Sequence, residues 1–126
     1  MFYYFTQMAP TGYTVNVTVD VTAMRIALKE AQKKFFPAYL YLVTRALNKQ
    51  IEFKTAYADD QLGYWNTLTP LYAAFHEDDK TFSFMWTPYD DDFSVFHERY
   101  LADQRQYANN HGALAQPSTP PTNCYT

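Results

Sequence analysis

Apolar and polar residues alternate strictly from Tyr13 to Val21: Tyr13, Val15, Val17, Val19 and Val21 stand against Thr14, Asn16, Thr18 and Asp20. A period of two puts successive side chains on opposite faces of a strand, so this segment is predicted to be a half-buried strand. Pro10-Thr11-Gly12 punctuates its start. The period then lengthens. Met24, Ala27, Leu28, Ala31 and Phe35 fall on one helical stripe behind a cap at Asp20 or Thr22. Val15, Val17 and Val19 are expected to share a core with Met24, Leu28 and Phe35.

Pro37 suits the first turn of a second helix reaching about Lys49. Leu40, Val43 and Leu47 form one stripe on it, with Tyr39, Leu42 and Ala46 close beside. So wide an apolar face implies burial between layers. Short β segments follow. Lys54 to Ala58 and Leu62 to Trp65 flank Asp59-Asp60-Gln61, which reads as a hairpin. Leu71 to His76 and Thr81 to Trp86 flank Glu77-Asp78-Asp79-Lys80 as a second hairpin. Pro88 and Asp90 to Asp92 open a third helix with the stripe Phe93, Phe96, Tyr100 and Tyr107. The prolines of Gln116 to Pro121 forbid helix and predict an extended connector, and Asn123 to Thr126 reads as a strand barely begun. Strand, two helices, hairpins and helix together predict an α/β (α+β) layered sandwich.

Composition narrows the function classes. A hydrophobic share of 48% against 18% charged residues fits a globular protein and argues against disorder. With 12 Tyr and 10 Phe, either the core or a small-molecule pocket must be rich in rings, and composition leaves both open. A net charge of −3 and one basic pair, Lys33-Lys34, give nucleic acid nothing to bind. The longest apolar run, Phe35 to Val43, contains Pro37 and falls far short of the roughly 20 residues of a membrane span. The single cysteine, Cys124, excludes a disulfide framework, and no basic leader precedes Met1-Phe2-Tyr3. A soluble, cytoplasmic protein is expected.

Candidate chemistry is sparse. His76 lies on a predicted strand, and no acid or nucleophile pairs with it by sequence, which reads as a structural histidine. His97 falls on the polar side of the third helix and is expected to be solvated. Asp90-Asp91-Asp92 at a helix start serves the helix dipole rather than a metal. Cys124 has no partnered base and is given no role.

Seven short strings in register resemble the chloramphenicol acetyltransferase family. They are Pro10-Thr11-Gly12-Tyr13, Val19-Asp20-Val21-Thr22, Phe35-Phe36-Pro37-Ala38, and Glu52-Phe53-Lys54 with Ala56. Trp65-Asn66-Thr67 with Pro70, Phe75-His76 before Thr81-Phe82-Ser83, and Asp91-Asp92-Phe93 with Phe96 complete the set. The resemblance runs from Pro10 to Phe96, while Ala113 to Thr126 matches loosely. It implies a coenzyme A-dependent acyltransferase fold, a homotrimer with sites at subunit interfaces, and acetyl transfer from acetyl-coenzyme A to a hydroxyl of chloramphenicol or a similar small acceptor, a reaction that confers antibiotic resistance. In the family a histidine of a His-His-x-x-x-Asp-Gly motif is the base and a later serine donates to the oxyanion. Neither piece matches here, so no catalytic residue and no metal is assigned. Residues 1–126 are expected to form one truncated domain, inactive alone.

The same resemblance carries acceptor-site positions over one at a time. Tyr4 and Phe5 stand at a Phe-Tyr pair, Ala9 at a leucine, Thr11 at a cysteine, Tyr13 at a phenylalanine, and Phe82 at a phenylalanine outright. Departures that add or remove a buried hydroxyl shift specificity strongly, so the acceptor is less defined than the acetyl transfer. Phe5 and Phe82 are expected to lie together on one concave surface. A non-catalytic module that binds a small aromatic ligand or drives oligomerisation is the competing reading.

Overall fold

A computed structural model describes residues 1–126. Its helices are α1 (Thr22–Glu30), α2 (Phe35–Asn48) and α3 (Phe93–Tyr107). Its strands are β1 (Thr55–Ala58), β2 (Gln61–Tyr64), β3 (Thr69–His76), β4 (Thr81–Trp86) and β5 (Cys124–Tyr125). A π-helical turn, Tyr4–Met8, and a 3₁₀ turn, Ile51–Lys54, complete the regular structure.

Local chemistry explains most of these elements. The Asp20 carboxylate accepts from the Thr22 amide at 2.9 Å where α1 begins. The helix ends in a left-handed Gln32 (φ 55), with the Gln32 amide bonded to Lys29 O and the Lys33 amide to Leu28 O. This is the paired-bond stop that satisfies the last carbonyls of a helix. Helix α2 starts two residues before Pro37, so the proline sits inside the first turn, where it removes no needed donor. At α3 the Asp92 side chain accepts from the Ser94 amide at 2.8 Å, so that the last of the three aspartates is an N-cap. The β1–β2 hairpin turns through Asp59 (φ 51) and Asp60 (φ 58), the two left-handed positions of a two-residue loop.

Strands β4, β3 and β5 form one sheet in that order. β3 and β4 run antiparallel from Leu71↔Trp86 to His76↔Thr81, and β5 joins β3 in parallel at Thr69↔Cys124 and Pro70↔Tyr125. The core lies between one face of this sheet and helices α2 and α3. Leu40 and Tyr41 of α2, Phe96 and Tyr100 of α3, and Tyr72, Ala74 and Met85 of the sheet form it, with Ala115. Phe96 and Met85 are wholly buried, which stabilises by about 1.5–3 kcal/mol each. The result is the α+β two-layer arrangement expected from the order of elements.

Polar groups stitch the layers. Thr87 donates its only hydroxyl hydrogen to Asp103 of α3 at 2.7 Å, so Tyr72, 2.7 Å from the same oxygen, must donate to Thr87. Burial pushes the Tyr72 hydroxyl and the Asp103 carboxyl to higher pKa. The Gln116 amide behaves like a strand residue, taking the Trp86 amide at 3.1 Å and giving to the Trp86 carbonyl at 2.8 Å. Thr44 donates to Leu40 O, so the Tyr125 hydroxyl donates to Thr44 at 2.6 Å and ties β5 to α2.

Three expectations fail. Residues 13–21 form no strand, and no backbone hydrogen bond involves residues 12–20. Val17 is 80% exposed, and Val15 and Val19 are exposed with it. Alternation prepares a face, but a strand exists only when a neighbour supplies the ladder, and no edge of this chain lies alongside. Phe35 opens α2, stacked on Tyr39 at 5.9 Å, instead of ending the α1 stripe. His97 is not solvated: it is buried, with its ring 5.3 Å from that of Phe93. No helix is long and apolar enough to cross a membrane.

Candidate functional site

The six acceptor-site positions occupy two places. Tyr4 and Phe5 lie on the N-terminal π-helical turn, and their rings meet edge to face at 5.1 Å. Ala9 closes that turn, its amide bonded to Tyr4 O at 2.7 Å. Thr11 turns back on the segment, its hydroxyl giving to Ala9 O at 2.7 Å and its amide to Phe5 O at 3.3 Å. Tyr13 follows at 91% exposure. The Phe2 ring, 5.5 Å from Tyr57, joins the segment to β1. These bonds gather Tyr4, Phe5, Ala9 and Thr11 within one short stretch, and Tyr13 stands out from it.

Phe82 is on β4, on the sheet face away from the helices. There Phe75, its cross-strand partner, and Phe84, 5.4 Å away ring to ring, leave an apolar surface that this chain does not cover. Phe82 is 54% exposed, and neither it nor the N-terminal five positions line a large cavity of the chain.

Two of the three histidines, His76 and His111, have polar partners. Ser83 gives its hydroxyl hydrogen to the carbonyls of Gly112 and Asn110, so the buried His76 must donate from Nε2 to Ser83 Oγ at 2.8 Å. That is the structural role expected of His76. The ring of His111 stacks on it at 4.1 Å. His111 reaches Asp79 through Nδ1 at 2.9 Å and Asp78 through Nε2 at 3.3 Å. His111 thus sits between two carboxylates, hydrogen-bonded to Asp79 and close to Asp78. The three ligand atoms gather within 4.8 Å, but a cation could use His111 only by breaking one of these contacts. Hydrogen bonds from Thr81, with a further one from His111, hold the Asp79 carboxyl below the usual range. His97 is less basic than usual, because burial disfavours its charged form and Lys33 adds positive charge nearby. Burial raises the Cys124 thiol, which suppresses thiolate.

Sequence reasoning missed the His76–His111–Asp79 association, whose members meet across a separation of 32 positions between Asp79 and His111. No spacing rule links them. They meet because the chain after α3 returns along β4, where Leu114 bridges Phe84.

The fold is similar to that of a solved chloramphenicol acetyltransferase chain, at a TM-score of 0.66 and 26% identity, over 71% of this chain and 42% of that one. A family model described as chloramphenicol acetyltransferase matches residues 1–126. A chloramphenicol acetyltransferase of Staphylococcus aureus is 40% identical over 118 residues, 92% of this chain and 54% of the relative. One of Bacillus pumilus is 32% identical over 94% of this chain and 54% of the relative, and one of Clostridioides difficile 37% identical over the same shares. This chain belongs to the chloramphenicol acetyltransferase family. It spans about half the length of the curated relatives it matches.

Proposed function

We propose that the chain forms part of an acetyl-coenzyme A-dependent O-acetyltransferase acting on a hydroxyl of chloramphenicol or a similar small acceptor. The carrying observation is the family match over all of residues 1–126, with identity reaching 40% to the Staphylococcus aureus protein. The acceptor hydroxyl loses its proton to a base, its oxygen attacks the thioester carbonyl of acetyl-coenzyme A, and the tetrahedral intermediate expels the coenzyme A thiolate. Tyr4, Phe5, Ala9, Thr11, Tyr13 and Phe82 are the acceptor-binding residues in this reading. Their exposure fits a site completed by further protein, as in a homotrimer whose sites lie between subunits, and the cytoplasm, where acetyl-coenzyme A is made, is its place of action.

In this reading the base lies outside residues 1–126. His76 is hydrogen-bonded to Ser83, His111 to Asp79, and His97 is buried beside the Phe93 ring. A base must have a free nitrogen within hydrogen-bond reach of the acceptor hydroxyl. The 126-residue chain alone is therefore inactive in this reading.

A chimera tests it. Residues 1–126 replace the matched segment of the Staphylococcus aureus relative, and release of coenzyme A thiol is followed with chloramphenicol. The chimera is expected to turn over and the 126-residue chain to match the blank. A folded chimera without turnover would leave the non-catalytic module, which the uncovered rings Phe75, Phe82 and Phe84 also suit. Turnover by the 126-residue chain, lost on His76→Ala, would place the base here after all.

A further inference from the structure

Helix α1 is held oddly. Nine residues are too few to be stable by themselves, so α1 must gain its hold from its apolar stripe. Yet no residue of α1 is buried. Met24 and Leu28 border an open groove of about 500 Å³, whose other walls are Ala38 and Leu42 of α2 and Phe93 at the start of α3. That volume is in the usual range for small-molecule sites, roughly 300–1,000 Å³.

Charge is the second, independent feature. Two cations, Lys33 and Arg45, line the groove, and no Asp or Glu does. Neither takes part in an ion pair anywhere in the chain. Their positions are fixed by the fold. The left-handed stop at Gln32 brings Lys33 back toward α3, its ammonium 5.5 Å from the centre of the Phe93 ring. Arg45 stands one turn beyond Tyr41 on α2, and the Tyr41 hydroxyl gives to the backbone oxygen of Asp91, which locks the α2 and α3 walls together. A neutral occupant would cover two unpaired cations, at a desolvation cost, and a cationic one would be repelled. An anion gains charge-assisted hydrogen bonds from both, Arg45 offering a fork that fits a carboxylate.

We propose that the groove between α1, α2 and the start of α3 binds a small amphiphilic carboxylate. Its alkyl or aryl body lies against Met24, Leu28, Leu42 and Phe93, and its carboxylate pairs with Lys33 and Arg45. None of the six acceptor-site positions lines this groove.

The test uses the 126-residue chain with methyl-labelled methionine and two probes of equal chain length, decanoate and decyltrimethylammonium, below their micelle concentrations. Decanoate is expected to shift the Met24 methyl saturably and leave that of the wholly buried Met85 unmoved. Decyltrimethylammonium should bind at least about tenfold more weakly, and the double variant Lys33→Gln/Arg45→Gln should lose about tenfold in decanoate affinity and the preference between probes. Arg45→Lys, which keeps the charge, should retain the preference. Equal binding of both probes, an unmoved Met24 methyl, or an unchanged double variant overturns the proposal. Should the double variant fail to fold, Arg45→Gln alone decides: it lies on an exposed stretch of α2 and should still lose about threefold, and an unchanged affinity overturns the proposal equally.

Discussion

Replacing Thr87 by valine keeps the side-chain shape and removes one hydroxyl from the centre of a three-residue chain. Tyr72 donates to Thr87 and Thr87 donates to Asp103, both at 2.7 Å, so the change leaves a buried phenol without an acceptor and a half-buried carboxylate without a donor. A neutral hydrogen bond is worth about 1 kcal/mol net and one to a charged group about 1.5–3, but water can reach Asp103 and replace part of the second. The expected loss is therefore about 2 kcal/mol, read as a shift in the urea midpoint at constant slope. The pH dependence supplies a second reading. Burial raises the Asp103 carboxyl while the Thr87 hydrogen bond lowers it, so Thr87→Val should raise it further. A carboxyl raised on folding favours the native state below its unfolded pKa and loses that contribution as pH rises through the folded one. The variant's deficit should thus be smaller at acidic pH and grow toward neutrality. The triple replacement Thr87→Val, Tyr72→Phe and Asp103→Leu should recover much of the loss, since removing all partners leaves nothing unsatisfied. A Thr87→Val chain within about 0.5 kcal/mol of the parent at pH 7, the scatter of ordinary surface changes, would refute the assigned donors.

Val17→Asp should change stability, measured by denaturant titration, by no more than about 0.5 kcal/mol, because Val17 is 80% exposed; unfolding on this change would mean the segment is packed after all. The depressed pKa of His97 means the unfolded chain binds its proton first, so stability should fall as pH drops below about 6.5, and His97→Gln should flatten that slope in denaturant titrations. In the chimera, Phe82→Ala should raise the acceptor KM by an amount worth about 1–3 kcal/mol while leaving the KM for acetyl-coenzyme A nearly unchanged, and equal effects on both would remove Phe82 from the acceptor site. Phe5→Tyr, which restores a hydroxyl, should lower the KM for chloramphenicol in the same assay, and an unchanged value would free Phe5 of that role.

The helices and hairpins were legible because their signals are local. Asp92 caps α3, Asp59 and Asp60 turn β1 into β2, Pro37 sits in a first turn, and the stripe of Phe96 and Tyr100 buries as its spacing requires. Each of these depends on residues a few positions apart. The family was legible too, because short strings from Pro10 to Phe96 keep their order and spacing. What periodicity cannot specify is the partner that covers a face. Residues 13–21 carry as clean an alternation as any strand here, yet they remain unpaired, since ladder bonds come from another segment. His97 stands on what reads as a polar side but is buried beside Phe93, and Phe75, Phe82 and Phe84 stay open because the helices cover only the opposite sheet face. The ties of His76, Ser83, His111 and Asp79, and the groove joining Lys33 to Arg45, follow only from the return of the chain along β4 and the packing of α2 against α3. Sequence thus determined what each segment can bury; the tertiary structure decided what it meets.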